Sequence, residues 1–366
     1  MANTLLTPSI IAKEALYQLN ANCVMAGLVH REYSKEFQKV GDTITIRKPA
    51  TFETKEFKDA IVVQDATEQG MTLTIDHHAD VSFSVTSKDL ALTVQDFSAQ
   101  FLEPAMKAFA QKVDSDLTAL YADIPYYVAQ NATPSLKDIS ACRAVLGNNK
   151  VPFGNRSLVM NPDTEADYNT LPAIVNAEKS GTTAALREAA MGKVLGFDTY
   201  VDQNVATATK GTLGTAKVKA EVAIGATTLT AYNATLTGDL KKGDIFTVAG
   251  SDTKYVVTGA VTASSNEAVV AFYPATTAVI SADSVITVAD GGIQNMAFYR
   301  NAFTLVTCPL ELPLGSSNAS ITTYNGYGLR VVKDYDITHK KDVISIDMIY
   351  GVKTLTPEMA CRLIKA

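Results

Sequence analysis

Basic charge is in short supply in this chain, and so are the residues that most often carry chemistry. Lys and Arg number 32 against 38 Asp and Glu, a formal charge of −6. A dedicated DNA-binding domain would present a basic face instead. The deficit does not exclude a protein that merely surrounds nucleic acid, because a surface facing packaged DNA should attract it weakly at most. There are four cysteines. Cys23, Cys142, Cys308 and Cys361 lie far apart and form no CxxC pair, which predicts a reducing compartment and no disulfide framework. No stretch approaches the roughly 18 or more apolar residues of a membrane span. The opening MANTLLTPSIIAKEALYQL lacks a basic n-region and a continuous apolar h-region, so neither a signal peptide nor a membrane partner is expected.

Enzyme motifs are missing as well. No P-loop, GxGxxG, GxSxG or HExxH occurs. GTLGTAK at 211–217 looks superficially like a phosphate loop, but its lysine is out of frame and it lacks a strand-to-helix context. It reads as a flexible linker. His77 and His78 are adjacent in a strand-like run and should face opposite sides, which argues against a shared metal. His30 and His339 are isolated. Asp114 and Asp116, two apart in a helix, point to different faces and read as a solvated edge and a helix-spacing contact. Asp334 and Asp336, near Arg330, read as surface ion pairing. No catalytic residue, metal site or cofactor is expected, and the chain does not read as an enzyme.

What is present is an ordinary folding composition, 47% hydrophobic and 19% charged, in 366 residues. That length suits two domains, or one with a large insertion. Residues 1–37 read as a helical arm with Thr7 as N-cap, Pro8 in the first turn, a stripe of Ile11, Ala15, Leu16 and Leu19, and Gly27 as the stop. No partner element lies nearby in sequence. From 40 to 86 the period changes to two. Ile44 and Ile46 alternate with threonines, and Pro49 ends that run. Then Met71, Leu73, Ile75, His77, Ala79, Val81, Phe83 and Val85 all point one way, a strand or bent strand pair of roughly 50 Å at ~3.3 Å per residue. Such an element predicts a projecting hairpin whose apolar side a neighbouring copy covers. Residues 87–124 predict a long helix, capped by Ser87 and either kinked at Pro104 or followed by a second helix that begins there, with Leu102, Met106, Phe109, Val113, Leu117, Leu120 and Ile124 on one stripe. LKDISACRAVLGNN predicts a helix, RSLVMNP a strand, and LREAAMGKVLGFDTYVD a helix, turn and strand. From 207 to about 288, short β-like runs between Gly, Ser and Asn predict a small sandwich or barrel inserted between Asn204 and Gly291. After it, MAFYRNAF reads as a short helix, and LRVVKDYD, VISIDMIYGVKTL and MACRLIK read as strands.

Several of these segments resemble the major capsid proteins of tailed phages, which share the Hong Kong 97-type fold. LEPAMKAFAQKVDSDLTALY (102–121) is similar to that family's spine helix, with its proline and its mid-helix Asp114. NNKVPFGNRSLVMNPDTEADY (148–168) resembles its "VP…R…V…P" segment through Val151, Pro152, Arg156, Val159 and Pro162. LREAAMGKVLGFDTYVDQNV (186–205) resembles the next segment. AFYRNAFTLVTCPLELP and GLRVVKDYDITHKKDVISIDMIYGVKTLTPEMACRLI resemble the C-terminal pattern, with a "YG" turn at Tyr350-Gly351. The opening and the inserted β-domain narrow the likeness to coat proteins of short-tailed Salmonella-type phages, whose insertion is immunoglobulin-like. The resemblance implies an α+β fold divided into an N-arm (1–37), an extended loop (38–86) and a spine helix with P-domain (87–130). An A-domain (131–206), the inserted β-domain (207–290) and the remainder of the A- and P-domains (291–366) follow. It also implies an icosahedral shell of many copies in the virion, assembled in the host cytoplasm around a scaffolding protein. A portal protein and non-specific contact with packaged double-stranded DNA belong to the same picture. The residues expected between copies are Ile11 and Leu16 in the arm, and Leu73, Ile75, Val81 and Phe83 in the hairpin. Two other readings remain at this point: an encapsulin-type shell, and a carbohydrate- or host-binding role for the insertion.

Overall fold

The computed structural model describes residues 8–31, 43–47, 70–86, 98–181, 183–308, 310–313, 318–324 and 326–366. The expected cap Thr7, Pro49 and Ser87 lie outside them. The chain opens on helix α1 (Pro8–Asn22) and one turn, α2 (Met25–Leu28), followed by strands β1 (Thr43–Arg47), β2 (Gly70–Thr74) and β3 (His77–Thr86). A π-helical turn at Ser98–Leu102 runs into α3 (Glu103–Thr118), and then come β4 (Tyr127–Ala129), α4 (Leu136–Asn148), β5 (Arg156–Met160) and α5 (Pro162–Asn169). A hairpin of β6 (Lys193–Val194) and β7 (Phe197–Val201) leads to β8 (Thr207–Ala208). The short strands of the insertion are β9 (Ala216–Val218), β10 (Thr228–Tyr232), β11 (Asp239–Leu240), β12 (Ile245–Val248), β13 (Tyr255–Val257), β14 (Val261–Thr262), β15 (Glu267–Tyr273) and β16 (Val285–Val288). The chain finishes with β17 (Gly292–Tyr299), β18 (Phe303–Cys308), β19 (Ala319–Tyr324), β20 (Tyr327–Asp336), β21 (Lys341–Thr354) and β22 (Ala360–Lys365). Two compact units result, one from 1–22, 31–110 and 304–355, the other from 23–30, 111–303 and 356–366.

In the first unit, β18, β21, β20 and β19 form a sheet in that order, and β3 adds to β21. The pairing runs antiparallel from His77 opposite Tyr350 to Thr86 opposite Lys341. The period-two burial expected for 71–85 is present, with the odd positions turned inward. Of the two expected forms, a single strand or a bent pair, the structure has two strands with a break between them. The chain leaves the extended ladder at Ile75 and Asp76, so that β2 pairs with β1 while β3 pairs with β21. Each strand must satisfy its backbone groups against whatever partner is at hand, and here the partner changes. Tyr350-Gly351 is no turn but the interior of β21. A Cβ on Gly351 would stand 2.4 Å from the Thr74 carbonyl oxygen, so the glycine permits a close backbone approach. Helix α1 lies on β19 and β20 and buries Ile11, Ala12, Ala15, Leu16 and Leu19. The arm helix therefore has a partner within its own chain. It also stops at Asn22, before Gly27, which sits inside α2.

The predicted stripe of α3 is buried at Leu102, Met106, Phe109, Val113, Leu117 and Ile124, while Leu120 is half-buried. Pro104 is the second residue of α3, which begins directly after the π-helical turn, so the change of helix type falls at the proline.

The second unit is built on a sheet ordered β4, β22, β17, β5, β7, β6, with β8 beside β17. Helix α4 packs on β22 and β4, and its Ser135–Asp138 capping box satisfies the first-turn donors. Ile139, Cys142 and Leu146 meet Leu158, Met160, Phe197, Ala297 and Leu363 in one core. MAFYRNAF is not a helix: Met296 to Tyr299 complete β17, and a short 3-10 turn follows at Arg300–Ala302. A central strand buried on both faces has a continuous apolar run, which periodicity cannot separate from a helix.

The insertion is a closed barrel in which β10, β15, β13, β12, β16 and β9 form a ring. This realises the barrel alternative, and the unbroken ring differs from the two separate sheets of an immunoglobulin sandwich. Phe246, Tyr255 and Phe272 fill it, with ring centres 4.9 to 5.7 Å apart. GTLGTAK is no linker. Leu213 and Gly214 donate to the carbonyls of Asp239 and Thr237, and a Cβ on Gly211 would stand 2.3 Å from the Asp239 carbonyl oxygen. The ends of the insertion meet where β8 pairs with β17, Ala208 opposite Gly292. Arg362 of β22, 1% exposed, ties the barrel to the sheet, donating to the carbonyls of Gly243 and Ile124 and lying over the Tyr121 ring. Burial pushes its pKa down to about 9. Lys254 donates to the Tyr127 carbonyl, and Tyr273 bonds Glu358 across the same junction.

Candidate assembly surface

The six residues expected between copies separate into two groups. Ile11, Leu16 and Leu73 are 3%, 1% and 0% exposed, enclosed by their own chain. The expectation that arm and hairpin shelter only on neighbours is corrected for these three. Leu73 joins Val306, Cys308 and Ile349, and α1 covers the sheet. Val81 and Phe83 remain partly open along one face of β3, where Phe83 stacks on Phe101 with centres 5.7 Å apart, and Ile75 is partly open in the break between β2 and β3.

The opposite face of β3 is polar. Asp80 lies directly across from Asp347, which lies across from Arg330. Two carboxylates in register repel, and the arginine answers with a two-pronged bond to Asp347. Asp80 accepts from Ser82 and Ser345 instead. Asp347 in turn raises the Arg330 pKa. Arg330 therefore does not pair along its strand with Asp334 or Asp336. Asp336 bonds His339 and is pulled below the usual carboxylate range by it. His77 and His78 take opposite faces as expected: His77 stacks on Tyr350 at 5.1 Å, while His78 is exposed, 3.7 Å from Asp347. No group of three metal donors exists among the described residues. No helix among them is long and apolar enough to cross a membrane.

Sequence reasoning missed two features. On the outer side of α1, Tyr17 is 68% exposed and Tyr324 of β19 is 60% exposed. With Lys13, Leu16, Thr322 and Thr323 they line a groove of about 370 Å³. The signal was available, since Tyr17 falls off the apolar stripe of α1 and had no reason to be there for packing. The second feature is Asp114. It is no solvated edge but 1% exposed, accepting from the backbone N–H groups of Val24 (2.8 Å) and Ala26 (3.0 Å) at the start of α2. Burial raises its pKa to about 7, against the pull of those N–H groups, and Asp202 adds to the rise. Asp116 does make the helix-spacing contact, to Lys112 at 2.8 Å.

No family model and no curated protein matches this chain. Solved structures do. A structure from Mycobacterium phage Che8 aligns with a TM-score of 0.55 and 17% identity, over 93% of this chain and 90% of that one. The asymmetric unit of the bacteriophage PhiM1 mature capsid aligns with a TM-score of 0.50 and 11% identity, over 94% of this chain and 87% of that one. The chain has the Hong Kong 97-type fold.

Proposed function

We propose that this protein is the major capsid protein of a tailed phage, and that many copies close into an icosahedral shell around double-stranded DNA. The observation that carries the reading is the alignment over 94% of the chain with a subunit of a mature phage capsid. Physically, a chain that leaves partly open apolar side chains on β3 and an exposed tyrosine pair at α1 and β19 suits weak, repeated contacts. Ile75, Val81 and Phe83 are proposed to meet a sister molecule along β2 and β3. The N-arm, extended loop, P-domain and A-domain divisions belong to this reading, as does the likeness to short-tailed Salmonella-type phage coats with an inserted domain. So do a scaffolding protein, a portal, non-specific DNA contact, assembly in the host cytoplasm and a non-enzymatic role. Electron microscopy of the protein expressed with and without its flanking genes tests it. Closed, uniform, DNA-competent particles are expected, and shells that package protein cargo instead would favour an encapsulin-type compartment.

A further inference from the structure

Two loops of the second unit meet at Arg143, whose Nη1 donates to the Leu195 carbonyl at 3.0 Å. Beside that contact Phe153 stands 69% exposed, with the Arg156 and Arg143 guanidiniums 4.7 and 5.8 Å from its ring centre. Arg156 is only 2% exposed. Its Nε and Nη2 donate to the carbonyls of Pro152 (2.8 Å) and Val151 (2.6 Å), and its buried Nη1 finds no acceptor. Among the described residues no carboxylate pairs with Arg143, Lys150 or Arg156. Like charges are thus held together by backbone carbonyls, without a counter-ion.

The backbone carries a second, independent observation. Lys150, Asn155 and Leu195 have φ of 60°, 53° and 49°. Leu195 and Gly196, φ 49° and 89°, form the two-residue turn joining β6 to β7. Asn or Asp is the ordinary choice at the first position of such a turn, because a larger side chain is strained there. Here a leucine occupies it and is 37% exposed. Strain that presents an apolar side chain to solvent points to a use outside the fold.

We propose that this patch is a contact between copies of the chain, with Phe153 and Leu195 as its apolar centre and the exposed Arg143 receiving a carboxylate from the second copy. The proposal rests on the capsid reading. Aromatic residues and arginine are the side chains enriched at the energetic centre of protein interfaces. An acidic partner is at hand, since each copy carries 38 acidic residues against 32 basic ones. Closed rings join unlike faces of identical subunits, so patch and carboxylate need not be self-complementary. A phosphate backbone would use the cations but not the strained leucine.

The test uses the full-length protein and two variants, Leu195→Asn and Arg143→Glu, with urea melts of the unassembled subunit and sedimentation of particles. Leu195→Asn relaxes the turn, so its subunit should melt at or above wild type. Each variant should nevertheless need roughly fivefold or more protein to form particles, the loss expected for a contact above ~1 kcal/mol. Variants that assemble at the wild-type concentration overturn the proposal, and so do variants that assemble normally but retain less DNA. Wild-type protein that never forms particles overturns the capsid reading and the proposal with it.

Discussion

Replacing Asp114 by asparagine should change how the stability of the subunit responds to pH. The carboxyl is buried and its pKa is raised from 3.8 to about 7, first by burial and then by Asp202, despite hydrogen bonds from Val24 and Ala26. Between those values the folded state holds a proton that the unfolded chain has released. Stability attributable to Asp114 is therefore greatest below about pH 4 and declines as pH rises through about 7. Three units at ~1.4 kcal/mol each set an upper bound of ~4 kcal/mol, and relaxation of the site should leave about 2–4 kcal/mol. The asparagine cannot ionise, but its amide NH₂ must face one of the two backbone donors, a cost that does not vary with pH. The informative quantity is the difference in unfolding free energy between variant and wild type, from urea titrations followed by circular dichroism at pH 5, 6, 7 and 8. It should shift in favour of the variant by a few kcal/mol across that range, at up to ~1.4 kcal/mol per pH unit. A difference that stays flat with pH would refute the reasoning and mean that the N–H groups of Val24 and Ala26 keep the carboxylate ionised.

Other outcomes follow from single contacts. Arg362→Met leaves the carbonyls of Gly243 and Ile124 without their donors, at ~1–3 kcal/mol each, partly offset by removal of a buried charge. A net loss of about 3 kcal/mol in urea unfolding is expected, and an unchanged midpoint would contradict the clamp. Gly351→Ala drives a methyl into the Thr74 carbonyl and should cost ~1–3 kcal/mol, read as a lowered melting temperature. Phe83→Asp should leave a soluble subunit that sediments like wild type but yields no particles; normal particles would remove β3 from the contact.

What could be read before the structure follows from the range of each interaction. The stripe on α3 was legible because its period is written in consecutive residues, from Leu102 to Ile124. The β-rich insertion was legible from turn residues at short intervals. β17 was not, because Met296, Ala297 and Phe298 are buried on both faces and leave no alternation. The break at Ile75 and Asp76 depends on β2 and β3 choosing different partners, and partner choice is non-local. Asp114 answers to N–H groups about ninety residues away. Backbone donors carry no sequence signal. GTLGTAK was misread because its glycines serve close approach to Asp239, not flexibility. The buried placement of Ile11, Leu16 and Leu73 has the same origin: an amphipathic stripe says that something covers it, but not whether that something is the same molecule.

The most direct trial of the account is sedimentation velocity of the purified protein over a wide concentration range. Subunits that coexist with one large, uniform particle above a threshold concentration are what a shell-building protein should give. A single small species at every concentration, with no large particle under any condition, would contradict it.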